Sequence, residues 1–347
     1  MPSGIGAARS TTSAARAVPV RGDRTGRDIP GRGARAVPGR GDRAGRGVPV
    51  PRRDQRGSGH AGRSRWLPYA LLALPAAVYG TFVLYPLATT ARLSLYEWDG
   101  LTAPSFVGFA NYMALAGDAR FRAALAHNGA FLAFYTLLPV AFALLLVVFL
   151  AQERAVRGIA VYRVGLFVPQ VIPMVVVGVV WRWMYSPTNG LVNAVFAWFG
   201  AAPRPFLGQA ASALPAVGMV GSWVQYGFAM VLFLAGIQQI DRTLYEAAAV
   251  DGAGVWAKFR HVTLPGLRGP IVVAVTVSLI AALRVFDLVF VMTRGGPADS
   301  TIVMALEIYR RAFLVREAGM AAAGATVLIA LIFALSRLVL HFQEERE

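Results

Sequence analysis

The sequence predicts an all-α, polytopic membrane protein with six transmembrane helices, and three observations carry that prediction. The chain has 347 residues, is 56% hydrophobic and has a mean hydropathy of +0.54, against the roughly 45–50% apolar content of soluble domains. Its apolar residues gather in charge-poor runs of about 20 residues, the length that crosses a hydrocarbon core. Its charge is unevenly spread: of the net +16, residues 1–65 contribute +11 through 15 Arg against 4 Asp, and the remainder carries only +5. The basic character therefore belongs to a tail and does not mark a nucleic-acid-binding fold.

Composition also excludes chemistries. There is no Cys, so disulfides, thiolate catalysis and Cys-based metal sites are ruled out. The four His stand at positions 60, 127, 261 and 341, too scattered for a His-rich metal site. Lys258 is the sole lysine beside 33 Arg, which reads as coding bias.

Residues 1–65 are rich in Arg, Gly and Pro and contain a repeat: ARAVPVRGDRTGRDIP from Ala15 returns as ARAVPGRGDRAGRGVP from Ala34. Neither unit has enough apolar surface to offset its ordering entropy, so a disordered cytoplasmic tail is expected. Such a tail attracts anionic lipid at about 1 kcal/mol per nearby Arg. A secretory signal fits poorly, because the basic region is long and the apolar run behind it exceeds a signal core.

The expected spans follow in order. The first is Trp66 to Ala91, free of charge; the second runs about 128–151. The third, about 159–185, carries Arg163 and Arg182 near its ends, where they snorkel to the interfaces, and Pro169 and Pro173, which predict a kink. The fourth is about 211–237 and the fifth about 270–292, with Arg284 and Asp287 inside it; the sixth is about 319–340, leaving a short C-terminus at 343–347. An even number of spans puts both termini on one side, and the Arg-rich tail assigns that side to the cytoplasm. Arg294, Arg310, Arg311 and Arg316 then fall outside, against the rule unless they belong to a folded outer segment. GLVNAVFAWFG at 190–200 is too short to cross and predicts an interfacial helix.

Between spans four and five lies EAAAVDGAGVWAKFRHVTLP, Glu246 to Pro265, longer than a simple reconnection requires. Leu244 to Val250 predicts a short helix with Glu246 on its polar side, ended by Asp251-Gly252. Val255 to His261 predicts a second, with Val255, Trp256 and Phe259 on its apolar face and Pro265 stopping it. On spacing alone the segment is either a docking surface or an amphipathic loop on the inner leaflet.

Glu246-Ala247-Ala248, Asp251-Gly252-Ala253 and Leu264-Pro265 resemble the EAA signature of permease subunits of binding-protein-dependent ABC importers. Phe106-Val107-Gly108-Phe109-Ala110-Asn111-Tyr112 is similar to that family's outer-loop motif. Phe286-Asp287, Thr293-Arg294-Gly295-Gly296-Pro297 and Thr301, with Trp181, Pro187, Gly190 and Asn193, resemble its sugar and glycerol-3-phosphate branch. The resemblance spans residues 66–342 and omits the tail.

The resemblance implies a type I importer permease that performs no covalent chemistry and carries no cofactor. ATP and Mg would be bound by cytoplasmic ATPase subunits, consistent with the lack of a GxxxxGK[ST] loop here. An extracytoplasmic solute-binding protein would deliver a carbohydrate or related polyol, and a second homologous permease would complete the path, giving a heterodimer in membrane lipid. Glu246 would make a polar contact to the ATPase, Gly252 would be the hinge, and Trp256 and Phe259 the apolar anchors.

For the substrate path, Ser222, Gln225 and Tyr226 share a face of span four and suit a polyol, with interhelical hydrogen bonding as the rival reading. Arg284 and Asp287, three apart, predict an ion pair on one helix face or a substrate contact. An ion-coupled secondary transporter is the competing class. It calls for more intramembrane acids and for repeated halves than are present here.

Overall fold

The computed structural model describes residues 67–152 and 159–344. The Arg-rich tail with its repeat, Trp66, the link at 153–158 and the last three residues lie outside the described residues.

The described chain is helical throughout, apart from a two-residue antiparallel hairpin, β1 (Tyr96–Glu97) and β2 (Ser105–Phe106). The first span is α1, residues 67–93, with a π turn at Gly80–Leu84. After the hairpin come α2 (Ala110–Gly117) and α3, residues 119–152, with a π turn at Ala133–Leu137. The third span is split into α4 (Ile159–Val171) and α5 (Met174–Met184). Then follow α6 (Leu191–Trp198), α7 (Ala210–Ile237), α8 (Arg242–Val250), α9 (Val255–Gly266), α10 (Arg268–Leu283) and α11 (Asp287–Met292). The chain closes with α12, residues 304–315, and α13 (Ala318–Glu344).

Four helices among the described residues are long and apolar enough to cross a membrane unbroken: α1, α3, α7 and α13. Span six keeps its predicted place, and span four begins one residue early. Span two starts nine residues before its predicted beginning, because Asp118 caps α3: its Oδ1 accepts from the N–H groups of Arg120 at 2.8 Å and Phe121 at 3.0 Å. Apolar runs locate the stretch in hydrocarbon and miss a helix that projects beyond it. Span three is more than kinked. Ser-like punctuation is absent there, yet α4 and α5 meet at 104°, since Pro173 denies the helix an N–H just after the turn that holds Pro169. Span five ends early: α10 stops at Leu283, residues 284–286 are non-helical, and α11 resumes at Asp287.

α7 is the axis of the bundle. α3, α4, α10 and α11 all pack on it, and small residues let them approach. A Cβ on Gly218 would strike the Phe134 ring, and one on Gly221 the Tyr135 ring. The central apolar cluster joins Phe131 and Tyr135 of α3, Val217, Val220 and Val224 of α7, and Leu288 and Val289 of α11. α1 differs from the other spans: none of its apolar window is buried among the described residues, and its C-terminal part packs on α13.

The connections on the face away from α8 and α9 form a folded segment, in which Arg310 and Arg311 are paired with acids. Fully buried Glu307 accepts from Arg310 Nη2 at 2.6 Å and Arg311 Nε at 2.7 Å, and Arg120 approaches it at 3.2 Å. Arg311 also reaches Asp118 and Glu317. Several motif residues hold this segment together. Asn111 Nδ2 donates to the carbonyls of Ser94 and Tyr96 at 2.9 Å, and Asn193 bonds both the Ser186 and Arg204 backbones. The Thr293 and Thr301 hydroxyls lie 2.7 Å apart.

Candidate functional site

Two places stand out among the described residues: the segment between α7 and α10, and the break between α10 and α11.

The first is a helical hairpin. Asp241 caps α8 by accepting from the Thr243 N–H at 2.9 Å. Gly252, at φ +76°, lets the chain leave α8 in the left-handed conformation, with the Ala253 N–H returning to the Ala248 carbonyl at 2.9 Å. No residue of α8 is buried, and Glu246 is exposed beside Arg242 at 3.4 Å, a surface pair of little energetic weight. Ala247 is exposed and Ala248 half-buried.

α9 stands against it. The Trp256 and Phe259 rings lie 5.2 Å apart, with Trp256 66% exposed and Phe259 half-buried. Val250 and Val255 add to this uncovered apolar surface. Pro265 does not stop the helix as expected. A π turn at Phe259–Thr263 widens the turn in front of it, and α9 continues to Gly266 before bending 70° into α10.

Two residues that sequence reasoning missed join the hairpin: the Tyr245 and Thr263 hydroxyls, 3.0 Å apart. Leu267, fully buried, and Ile240, against Gly266, anchor the hairpin to the bundle. The segment is thus a braced block with an uncovered face.

The second place is residues 284–286. The predicted Arg284–Asp287 pair does not form. The helix unwinds between them, so their spacing no longer brings them onto one face; both are exposed, and no ion pair joins them. What stabilises the break is Asn128 on α3, fully buried. Its Nδ2 donates to the carbonyls of Ala282 at 3.2 Å and Leu283 at 3.1 Å, in the last turn of α10. Its Oδ1 accepts from the Met304 N–H at 2.8 Å. The neighbouring His127 Nδ1 bonds the Ile302 carbonyl at 2.8 Å. No spacing signal could have found Asn128, whose partners are 154 to 176 residues away in sequence.

Ser222, Gln225 and Tyr226 do share a face of α7, and all three are buried. Ser222 Oγ donates to the Phe134 carbonyl, exposed by the π turn of α3, and Gln225 Nε2 donates to Ser278 Oγ on α10 at 3.0 Å. The Tyr226 ring meets Phe142 edge-on at 5.2 Å. These are interhelical contacts, and none of these contacts is to Asp287.

The profile of binding-protein-dependent transport system inner membrane components matches residues 159–346, more than half of the chain. This chain belongs to that family. It is therefore a multi-pass ABC importer permease, with ATP hydrolysis assigned to a separate subunit, and the ion-coupled class falls away. Among its relatives is the diacetylchitobiose uptake system permease of Streptomyces coelicolor, 34% identical over 78% of this chain and 80% of that one. The trehalose/maltose transport system permease of Thermococcus litoralis is 32% identical over 70% and 82%. The sulfoquinovosyl glycerol transport system permease of Agrobacterium fabrum is 32% identical over 80% and 90%. The permease also shares its fold with a chain of a bacterial ABC transporter that imports alginate, with a TM-score of 0.70 at 23% identity, covering 81% of this chain and 96% of that one.

Proposed function

We propose that this permease carries a carbohydrate or related polyol across a bacterial cytoplasmic membrane, both termini facing the cytoplasm. In this reading the α8–α9 hairpin docks on an ATPase subunit that binds ATP and Mg. The observation that carries it is the braced but uncovered face of Glu246, Trp256 and Val250, rigid enough to transmit a push. Aromatic residues dominate interface energetics, so Trp256 and Phe259 are the anchors. Gly252 supplies the hinge geometry, and Ala247, Ala248, Asp251 and Pro265 shape the block.

A solute-binding protein delivers the ligand to the outer segment, and a second, homologous permease completes the pathway. The uncovered flank of α1 supports such a partner. Asp287 lines the path. A lone acid facing lipid costs about 2.5–3.5 kcal/mol on insertion scales, so its exposure in this chain marks a face that a partner or the path covers. The relatives' sugars support the substrate class.

The test is co-purification from mild detergent after co-expression with a genomically adjacent ATPase, permease and binding protein. The parent chain is expected to retain the ATPase, and Glu246→Lys and Gly252→Pro to lose it. Equal recovery with both variants overturns the docking assignment. Uptake of labelled maltose, trehalose and diacetylchitobiose by the reconstituted complex tests the substrate class.

A further inference from the structure

Tyr135 is one of several buried polar groups among the described residues that have no hydrogen-bond partner, and the one set in the central apolar cluster. Its residue is 2% exposed, yet its hydroxyl has no hydrogen-bond partner. Buried hydroxyls are nearly always paired, so an orphan in an otherwise close-packed cluster asks for a ligand or a second state. Three features surround it. It sits in the π turn of α3 at Ala133–Leu137, and π turns in helices gather at functional sites. Gly221 on α7 has no Cβ, and the space so left is filled by the Tyr135 ring itself. Asp287 starts α11 beyond the break, between Phe286 and Leu288, and both of those neighbours belong to or pack on the apolar cluster that holds Tyr135.

We propose that the Tyr135 hydroxyl and the Asp287 carboxylate form one subsite for a ligand hydroxyl on the transport path, with Tyr135 the residue that selects for it. The inference rests on the reading that Asp287 lines that path. The chemistry is complementary. An ionised carboxylate only accepts, and a phenol donates, so one sugar hydroxyl donates to Asp287 while accepting from Tyr135. Half-buried Phe286 and Trp223 supply apolar surface nearby, the usual setting for a few placed polar groups. In this conformation the phenol is closed off. Movement of α11 about the unwound residues 284–286 opens it, so the subsite forms in one state of the cycle and is dismantled in the other.

The experiment uses the full complex in proteoliposomes and reads labelled maltose, trehalose and diacetylchitobiose taken up per ATP hydrolysed. Tyr135→Phe is expected to lower that ratio about ten-fold for whichever sugar the parent moves, the value of one lost hydrogen bond. Its melting temperature should stay equal or rise, because the deleted hydroxyl had no protein partner. Thr276→Val removes another orphaned hydroxyl, on α10, and is expected to leave the ratio unchanged. A Tyr135→Phe ratio within two-fold of the parent, alongside a clear loss in Asp287→Asn, overturns this proposal and leaves the path reading intact. A parent-like ratio in Asp287→Asn overturns the path reading and the proposal with it, as does a parent complex that moves none of the three sugars.

Discussion

Asn128 shows how much one side chain can hold. It ties the end of α10 to the start of α12 with three hydrogen bonds from a fully buried position. Replacing it by Ala strands the Leu283 carbonyl and the Met304 N–H in a dry interior. Asn128→Ala is expected to destabilise the chain by about 2–4 kcal/mol, read as a lowered melting temperature in detergent, with Asn128→Asp recovering only the Met304 bond. At this scale the sequence was only partly legible. Gly252 and Asp251 declared their turn because few residues tolerate positive φ. Asn128, Tyr245 and Thr263 did not, because an isolated polar residue says nothing of a partner far along the chain. Arg284 and Asp287 misled for the same reason in reverse: a three-residue spacing implies one face only while the helix persists.

The elements were legible where they are simple. Uninterrupted apolar runs gave α1, α7 and α13 nearly to the residue, and Pro169 with Pro173 announced the elbow between α4 and α5, though not its 104° angle. The break after Leu283 carries no Gly or Pro, since Arg-Val-Phe at 284–286 is ordinary helical sequence; tertiary capping by Asn128 overrides it. The junction of α3, α12 and α13 is held by charge. Burial pushes the Asp118 carboxyl up, but the Phe121 N–H, the Arg311 guanidinium and the Arg120 N–H outweigh it and hold it below its ordinary value of 3.8. A folded value below the unfolded one means stability present above the unfolded pKa and lost as pH falls through the folded one. As pH falls below the ordinary carboxylate range, the parent's melting temperature should therefore fall more steeply than that of Asp118→Asn, and parallel curves would deny Asp118 that role.

At the scale of the molecule, composition and long apolar runs made a membrane protein the default, and the family match carried the class. Its incompleteness was less visible. α1 is a full span that its own chain leaves uncovered, the α8–α9 hairpin shows its apolar face, and Asp287 stands exposed at a helix break. Hydropathy reports what avoids water and is silent on whether lipid or protein takes its place.

Lys258 closes the first turn of α9, half-buried beside the hairpin's uncovered face, and no other lysine exists in the chain. Nature has left this subunit with a single ε-amine, positioned where the motor is expected to sit. An acylating reagent applied to the purified protein therefore finds that amine and the α-amino group alone, and the second serves as an internal standard. The ratio of the two peptide masses becomes a ruler of occupancy at the hairpin: shielding of Lys258 that appears with the ATPase and vanishes with Gly252→Pro would time engagement through the cycle, and equal acylation in its presence would place the motor elsewhere.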